Sequence, residues 1–474
     1  MRIFDTKVQQ LKYMTLKEVI KCIDSGHTDD MYLTIPKKLV PGPKATMRCC
    51  IYKERAVLSE RVKMAMGGDE SNPNVIEVID VACDECPIDG IMVTAACRGC
   101  IVHKCRDNCP KRAISIVEKR AVIDTHLCVE CGKCVKVCPY GAIIQLQRPC
   151  VQSCKAKALS VGEDRKAVID NGKCIECGAC VYQCPFGAIV DKSFVKEAVG
   201  ILNEAKKTGG RVYAVIAPSI VSQFRYAKIE QVVSGILKLG FHQVVEAALG
   251  ADIDLTLETE ELAEKGILLT SCCPSFVMYV EKNFPELSKY ISANLSPMVQ
   301  TARLIKASDR DAKVIFIGPC SAKKKEFRLS KTGGAVDCVI SFEELQAFLD
   351  AREIDVASLP PTSLDNASYY GRIFAHSGGV AKGIGKLAEE KGVRFIPCVS
   401  DGIEEVRANL LRLKMGKAVE NFFEGMACKG GCINGALCIN HSDKSIADVE
   451  NYGREAKEKD VHNSRRLYNL NHVR

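Results

Sequence analysis

The chain has 474 residues, a length for about three domains, and its 47% apolar and 26% charged composition excludes a largely disordered protein. No apolar run approaches the ~18 residues of a membrane span, and the start MRIFDTKVQQ lacks the apolar core of a secretory leader, so a cytoplasmic location and no membrane partner are expected. The formal charge of +8 comes without aromatic-flanked basic repeats, so no nucleic-acid partner is expected either.

Residues 1–80 read as an N-terminal capping region, with helix-like stretches at 15–22 and 52–66 on either side of the breaker Pro41-Gly42-Pro43. Cys49 and Cys50 are adjacent, lack a spaced partner, and read as structural. Residues 81–195 hold 16 of the 27 cysteines, from Cys83 to Cys184. An odd cysteine total without a leader speaks against a disulfide framework. Instead, Cys128, Cys131, Cys134 and Cys138 recur 46 residues later as Cys174, Cys177, Cys180 and Cys184. Both runs are C-x2-C-x2-C-x3-C-P, the bacterial ferredoxin pattern, whose fourth cysteine ligates the other cluster of a pair. Their endings, CPYGAI and CPFGAI, are echoed by CPKRAI at Cys109 and CKAKAL at Cys154. Four half-units predict two α+β ferredoxin-like [4Fe-4S] dicluster modules.

The ligand arithmetic then assigns Cys97, Cys100, Cys105 and Cys138 to one cluster, and Cys128, Cys131, Cys134 and Cys109 to a second. Cys174, Cys177 and Cys180 with Cys154 make a third, which leaves Cys83, Cys86, Cys150 and Cys184 for a fourth. The alternatives for this last set are a zinc site at Cys83/Cys86 or only three clusters. Four oxidised clusters at about two negative charges each would cancel the formal +8. Such a row carries electrons singly between the surface and a deeper site.

Residues 196–440 alternate apolar runs (VYAVIAPSIV, VIFIGPC) with amphipathic stretches (IEQVVSGILKLG, FEELQAFLDAR), predicting α/β layers with partly parallel sheets and flanking helices. The polar stretch 441–474 reads as a C-terminal surface tail. Cys338, Cys398 and Cys438 stand alone and read as core residues. Cys273, Cys320, Cys428 and Cys432 come from three Gly- and Pro-flanked loops, where backbone can approach a cofactor closely, and together suggest a further cubane.

These loops read TSCCP, PC-x2-KK-x-E and MAC-x2-GC, and they resemble the three signature motifs of the [FeFe] hydrogenases, over a stretch from Ala214 to Gly435. The resemblance, to a divergent monomeric branch, implies a two-lobed α/β domain holding an H-cluster: a cubane joined to a two-iron subsite with CO, cyanide and a dithiolate bridge. By motif, Cys273, Cys320, Cys428 and Cys432 would hold the cubane, and Cys432 would also bridge to the two-iron subsite. Lys323 would donate to a cyanide, Met426 would pack near the bridge, and Ser377, Gly378 and Gly379 resemble the family's glycine loop. Cys272 occupies the family's proton-donor position, with Glu258, Ser292 and Glu261 matching its proton path. The implied activity is reversible oxidation of H2 to protons and electrons. Ferredoxin or a similar low-potential carrier would be the partner, and dedicated maturation proteins would insert the subsite. Three departures are expected around that subsite: Gly318 for a methionine, Phe276 for a tryptophan, and Asn434-Gly435-Ala436-Leu437 for a GGGQP run. The competing readings are a non-catalytic iron–sulfur assembly protein and a hydrogen-sensing or redox-relay relative without turnover.

Overall fold

The computed structural model describes residues 4–86 and 90–464. The chain opens on helices Lys7–Ser25, Met31–Leu39 and Ile51–Ala65, the second of which the sequence reading did not expect. Thr6 and Gln9 close a capping box at the start of the first, and Gly26 ends it with φ 75°. Its buried face, Leu16, Val19 and Ile20, joins the main core, which also takes in the Phe342–Ala351 helix.

The iron–sulfur segment is two ferredoxin-like modules, one nested inside the other. The outer one runs from strand Gly90–Val93, through the hairpin Ile114–Val117 and Arg120–Ile123, to Ile143–Leu146, which pairs antiparallel with the first strand. The inner one begins earlier, at Ile76–Val78, and closes only at Ile189–Asp191, with its own hairpin Leu159–Val161 and Ala167–Ile169. The expected boundary at residue 80 therefore cuts through a module: Ile76–Val78 lies in the stretch read as capping region, and its three residues are too few to show a period. Cys83 and Cys86 belong to this inner module, and the outer module is inserted between them and Cys150.

Beyond residue 195 two sheets form the two lobes. One holds strands Gln243–Glu246, Val212–Ile216, Lys313–Gly318 and Cys338–Ser341 in that order; the other holds Leu268–Leu269, Phe422–Met426 and Pro397–Asp401. Every pairing in both is parallel. Parallel strands are covered on both faces, so they read as continuous apolar runs such as VYAVI and VIFIG. The Ala248–Lys265 helix packs against both lobes, with Ile253 and Leu257 in the core of the first and Ala251, Leu255 and Leu262 in that of the second.

The expected C-terminal surface tail is corrected over part of its length. Ser445–Glu455 is a helix that buries Ser445, Val449, Tyr452 and Gly453, a helical spacing hidden among charges. Tyr452 donates to Glu246, which also takes two hydrogen bonds from the buried Arg372 guanidinium at 2.7 and 3.0 Å. Residues 465–474 lie outside the described residues. No described helix is long and apolar enough to cross a membrane.

Candidate iron–sulfur active site

Each cysteine motif of the large domain follows the carboxyl end of a parallel strand, where ligands collect in such sheets. Cys272 and Cys273 follow Leu268–Leu269, Cys320 follows Lys313–Gly318, and Cys428 and Cys432 follow Phe422–Met426. Cys273 and Cys320 each sit at the N-cap of a short helix. Gly431, with φ 90°, lets the third loop approach: a Cβ there would stand 2.8 Å from His376 Cα and Ser377 N.

These loops enclose a cavity of about 80 Å³ between the lobes, lined by Cys272, Cys273, Cys320 and Cys432 and walled by Met298, Phe316, Phe374 and Met426. The space is several times the ~10–15 Å³ that one water needs. Loss of water pushes the Cys320 thiol up to about 12, with Cys273 and Cys432 adding to it. Cys428 is raised for the same reason, and Cys320, Cys273, Cys177 and Cys432 contribute. Four thiolates here need a cationic centre to balance them, which is the chemistry of a metal cluster. Among the described residues, no three Cys, His, Asp or Glu side chains are drawn together as a single ion would need.

Of the proton-bearing residues expected from the sequence, Glu258 bears on Cys272, and Ser292 is hydrogen-bonded to Glu261. Glu258 is buried. Burial pushes its carboxyl up to about 7, and it accepts from the Ser271 N–H at 3.2 Å. Ser292 draws that pKa slightly down and donates its own hydroxyl to Glu261 at 2.8 Å. Glu261 is half-buried and paired with Lys265 at 2.5 Å, one turn along the helix. Glu258 in turn raises the Cys272 thiol, whose pKa burial has already lifted well above the usual value.

Lys323 lines the cavity, its ammonium fixed by Glu326 at 2.7 Å and the Cys272 carbonyl at 3.2 Å. Ser377, Gly378 and Gly379 are set differently from Met426: they form the start of the Gly379–Lys391 helix and do not line the cavity. Gly378 N–H and Ala381 N–H both donate to Glu424, at 2.7 and 2.8 Å, and burial holds that carboxyl at about 7. Glu424 was not singled out in the sequence, and neither was Lys324. The latter is fully buried between Asp191 of the inner module and Glu344 of the Phe342–Ala351 helix, at 2.8 and 2.9 Å.

The departures separate. A Cβ at Gly318 would meet the Phe316 ring at 2.5 Å, so that ring fills the space a side chain would take, and it forms part of the cavity wall. Phe276 lies away from the cavity against Gly425. Ala436 also lies outside it, against Gly178 of the inner module.

Several accessory cysteines are raised by burial and by one another. Burial raises Cys105, with Cys100 and Cys138 adding to it, and burial raises Cys134, with Cys128 and Cys109 adding to it. Cys177, Cys174 and Cys154 raise Cys180, and Cys150 is pushed up to about 11 by burial together with Cys184, Cys83 and Cys86. The alanine shared by the four endings has a reason: the N–H of Ala113, Ala142, Ala158 and Ala188 donates to the cysteine sulfur four residues earlier, at 3.2–3.3 Å. Likewise Ala121 N–H reaches Cys97 and Ala167 N–H reaches Cys83, which makes Cys83 the counterpart of Cys97. Cys177 also faces Cys273 and Cys428, joining the inner module to the cavity.

With this geometry in view, residues 210–436 match the family "Iron only hydrogenase large subunit, C-terminal domain", and 121–144 and 167–190 match the 4Fe-4S binding domain. The periplasmic [Fe] hydrogenase large subunit of Nitratidesulfovibrio vulgaris is 30% identical over 381 residues, 66% of this chain and 85% of that one. The chain belongs to the [FeFe]-hydrogenase family. Iron hydrogenase 1 of Clostridium pasteurianum is 28% identical over 402 residues, 72% of this chain and 69% of that protein. The cytosolic Fe-S cluster assembly factor NAR1 of Eremothecium gossypii is 34% identical, over 140 residues that make 28% of this chain and 31% of it. Membership of this family, as a divergent branch, makes the chain an iron–sulfur protein of the 4Fe-4S type.

Proposed function

We propose that this chain is a cytoplasmic [FeFe] hydrogenase. It interconverts H2 with protons and electrons, and a row of four accessory [4Fe-4S] clusters passes the electrons to ferredoxin or a similar low-potential carrier. The observation that carries the reading is the line Cys272, Glu258, Ser292, Glu261 leading from the cysteine-lined cavity toward the surface. An iron–sulfur scaffold has no use for such a line, whereas an enzyme that makes or consumes protons in a dry cavity needs one.

Cys273, Cys320, Cys428 and Cys432 would hold the cubane, and a two-iron subsite with CO, cyanide and a dithiolate bridge, inserted by maturation proteins, would supply the cleavage of H2. The protein's own part is acid–base chemistry and exclusion of water. The Cys272 thiol stays protonated at neutral pH and can give a proton toward the cavity at Sγ. Glu258, held at about 7, takes and returns protons without a large penalty either way. Ser292 Oγ relays between the two glutamates, and Glu261 exchanges with solvent beside Lys265. Lys323, oriented by Glu326, offers its remaining N–H donors to a small anionic ligand.

The stretch shared with the assembly factor favours a second reading, in which the four cysteines hold a cubane alone. An infrared spectrum of protein made anaerobically with the maturation proteins separates the two. Bands of iron-bound CO and cyanide are expected; loaded cubanes without them would assign the chain to assembly.

A further inference from the structure

The nested modules are copies, and the inner copy shows how one face is used. On it, Ala156 and Ile175 are buried in a core shared with Leu269, Phe276 and Phe423 of the large domain. Gly178 abuts the same domain: a Cβ there would stand 2.6 Å from Ala436 and 2.7 Å from Ser321 Oγ. Ser321 Oγ also donates to the Glu176 carbonyl at 2.6 Å. This is the face over Cys177, the cysteine that approaches Cys273 and Cys428. It is therefore the surface through which the inner module meets its electron-exchanging neighbour.

The 46-residue repeat places Val129, Cys131, Gly132 and Lys133 of the outer module where the inner one has Ile175, Cys177, Gly178 and Ala179. Lys111 stands in the place of Ala156, two residues past its cysteine. Apart from Gly132, both sets line equivalent cavities around four cysteines. Here nothing covers the face among the described residues: Val129 is 56% exposed where Ile175 is 2%, and Cys131 is exposed. A Cβ on Gly132 would meet only the module's own Gln145, at 3.5 Å. Exposed apolar side chains grouped over a cluster site mark a contact surface.

Charge decides what fits it. Between residues 90 and 146 there are nine Lys and Arg against four Asp and Glu, and all nine cations are exposed. Among the described residues only Arg106 of the nine is ion-paired with an acid, Asp107. The inner copy carries alanine at the two positions where the outer one carries Lys111 and Lys133. The apolar patch thus has a cationic rim that the buried copy lacks.

We propose that the face over Cys131, formed by Lys111, Val129 and Lys133, is the docking surface for a small acidic one-electron carrier protein. The cluster of Cys109, Cys128, Cys131 and Cys134 is then the terminal station of the row. The proposal rests on the function above only in taking the clusters as loaded electron carriers; hydrogen turnover is not required.

The test uses the full-length, cluster-loaded protein and a small acidic [4Fe-4S] ferredoxin as probe, with binding measured by anaerobic titration calorimetry. Saturable binding that weakens as salt is raised is expected. Lys111→Glu with Lys133→Glu should weaken Kd by about tenfold or more, because like charges then face each other. Iron content and the clusters' electron paramagnetic resonance spectra should be retained, which separates lost docking from lost folding. Lys417→Glu, on the exposed surface of the large domain, should bind as wild type. Absent binding, unchanged Kd in the double variant, or self-association of the wild type through this face would each overturn the proposal. Failure of the hydrogenase reading would show separately, as binding without H2 turnover.

Discussion

At the scale of single residues, the proposed hydrogen chemistry asks for one proton donor and one relay, and Cys272 and Glu258 are the candidates for those parts. Cys272→Ala should remove most H2 turnover, by about 100-fold or more, with the cubane's spectrum intact. Glu258→Gln keeps the shape and loses the titration, so turnover should fall and the pH profile lose its inflection near about 7. Glu258 and Glu424 are both held above the ordinary carboxylate range, so folding favours their protonated forms. That contribution is complete below the unfolded pKa and is lost as pH rises through about 7. Tm should therefore fall between about pH 5 and about pH 8, less steeply in Glu258→Gln. Gly318 is a different case. The sequence shows that a larger side chain is missing, but only the structure shows the Phe316 ring filling the space. Gly318→Met alone should overpack the site and lower Tm, at a cost of about 1–3 kcal/mol.

Elements explain why the second motif needs two lysines. On the Ser321–Glu326 helix adjacent residues diverge by about 100°. Lys323 turns to the cavity, whereas Lys324 turns away to join Asp191, at the end of an inner-module strand, to Glu344 of the Phe342–Ala351 helix. Lys12 of the first helix bonds Asp191 and Glu343 at the same junction. Burial pulls Lys324 toward neutrality, and the two carboxylates more than offset it. Lys324→Ala would leave Glu344 without its cation and Asp191 with Lys12 alone, a loss of about 3 kcal/mol, visible as a lower Tm with iron still bound in the surviving fold. The motif cysteines were legible in the sequence because each follows a strand end with its own Gly or Pro. The partners of Lys324 were not, because Asp191 lies 133 residues away and no local pattern joins them. The Ser445–Glu455 helix escaped for a related reason: four buried positions are diluted among charged ones, and its anchor, Glu246, is 206 residues from Tyr452.

For the whole molecule, nesting splices one ferredoxin-like module into another. A ferredoxin-like module closes on its first and last strands, so the ends of the outer copy, Gly90 and Leu146, lie opposite each other and can be spliced into a loop of the inner one. The 46-residue repeat was readable because each run is contiguous; the Cys83, Cys86, Cys150, Cys184 set was the least secure because the insertion splits it. The Ala167 N–H to Cys83 hydrogen bond, matching that of Ala121 to Cys97, restores the equivalence. If this set holds the fourth accessory cluster, it stands beside the inner one, since Cys150 also bears on Cys180. Cys150→Ser should then remove one cubane's iron and its paramagnetic signal, leave the outer module's two signals in place, and slow electron passage from a docked carrier to the inner clusters by about tenfold or more. A zinc site at Cys83 and Cys86 would give the opposite pattern, with zinc in elemental analysis and no iron lost. Measuring iron and zinc on wild type and variant together decides between the two, independently of whether the molecule turns over hydrogen.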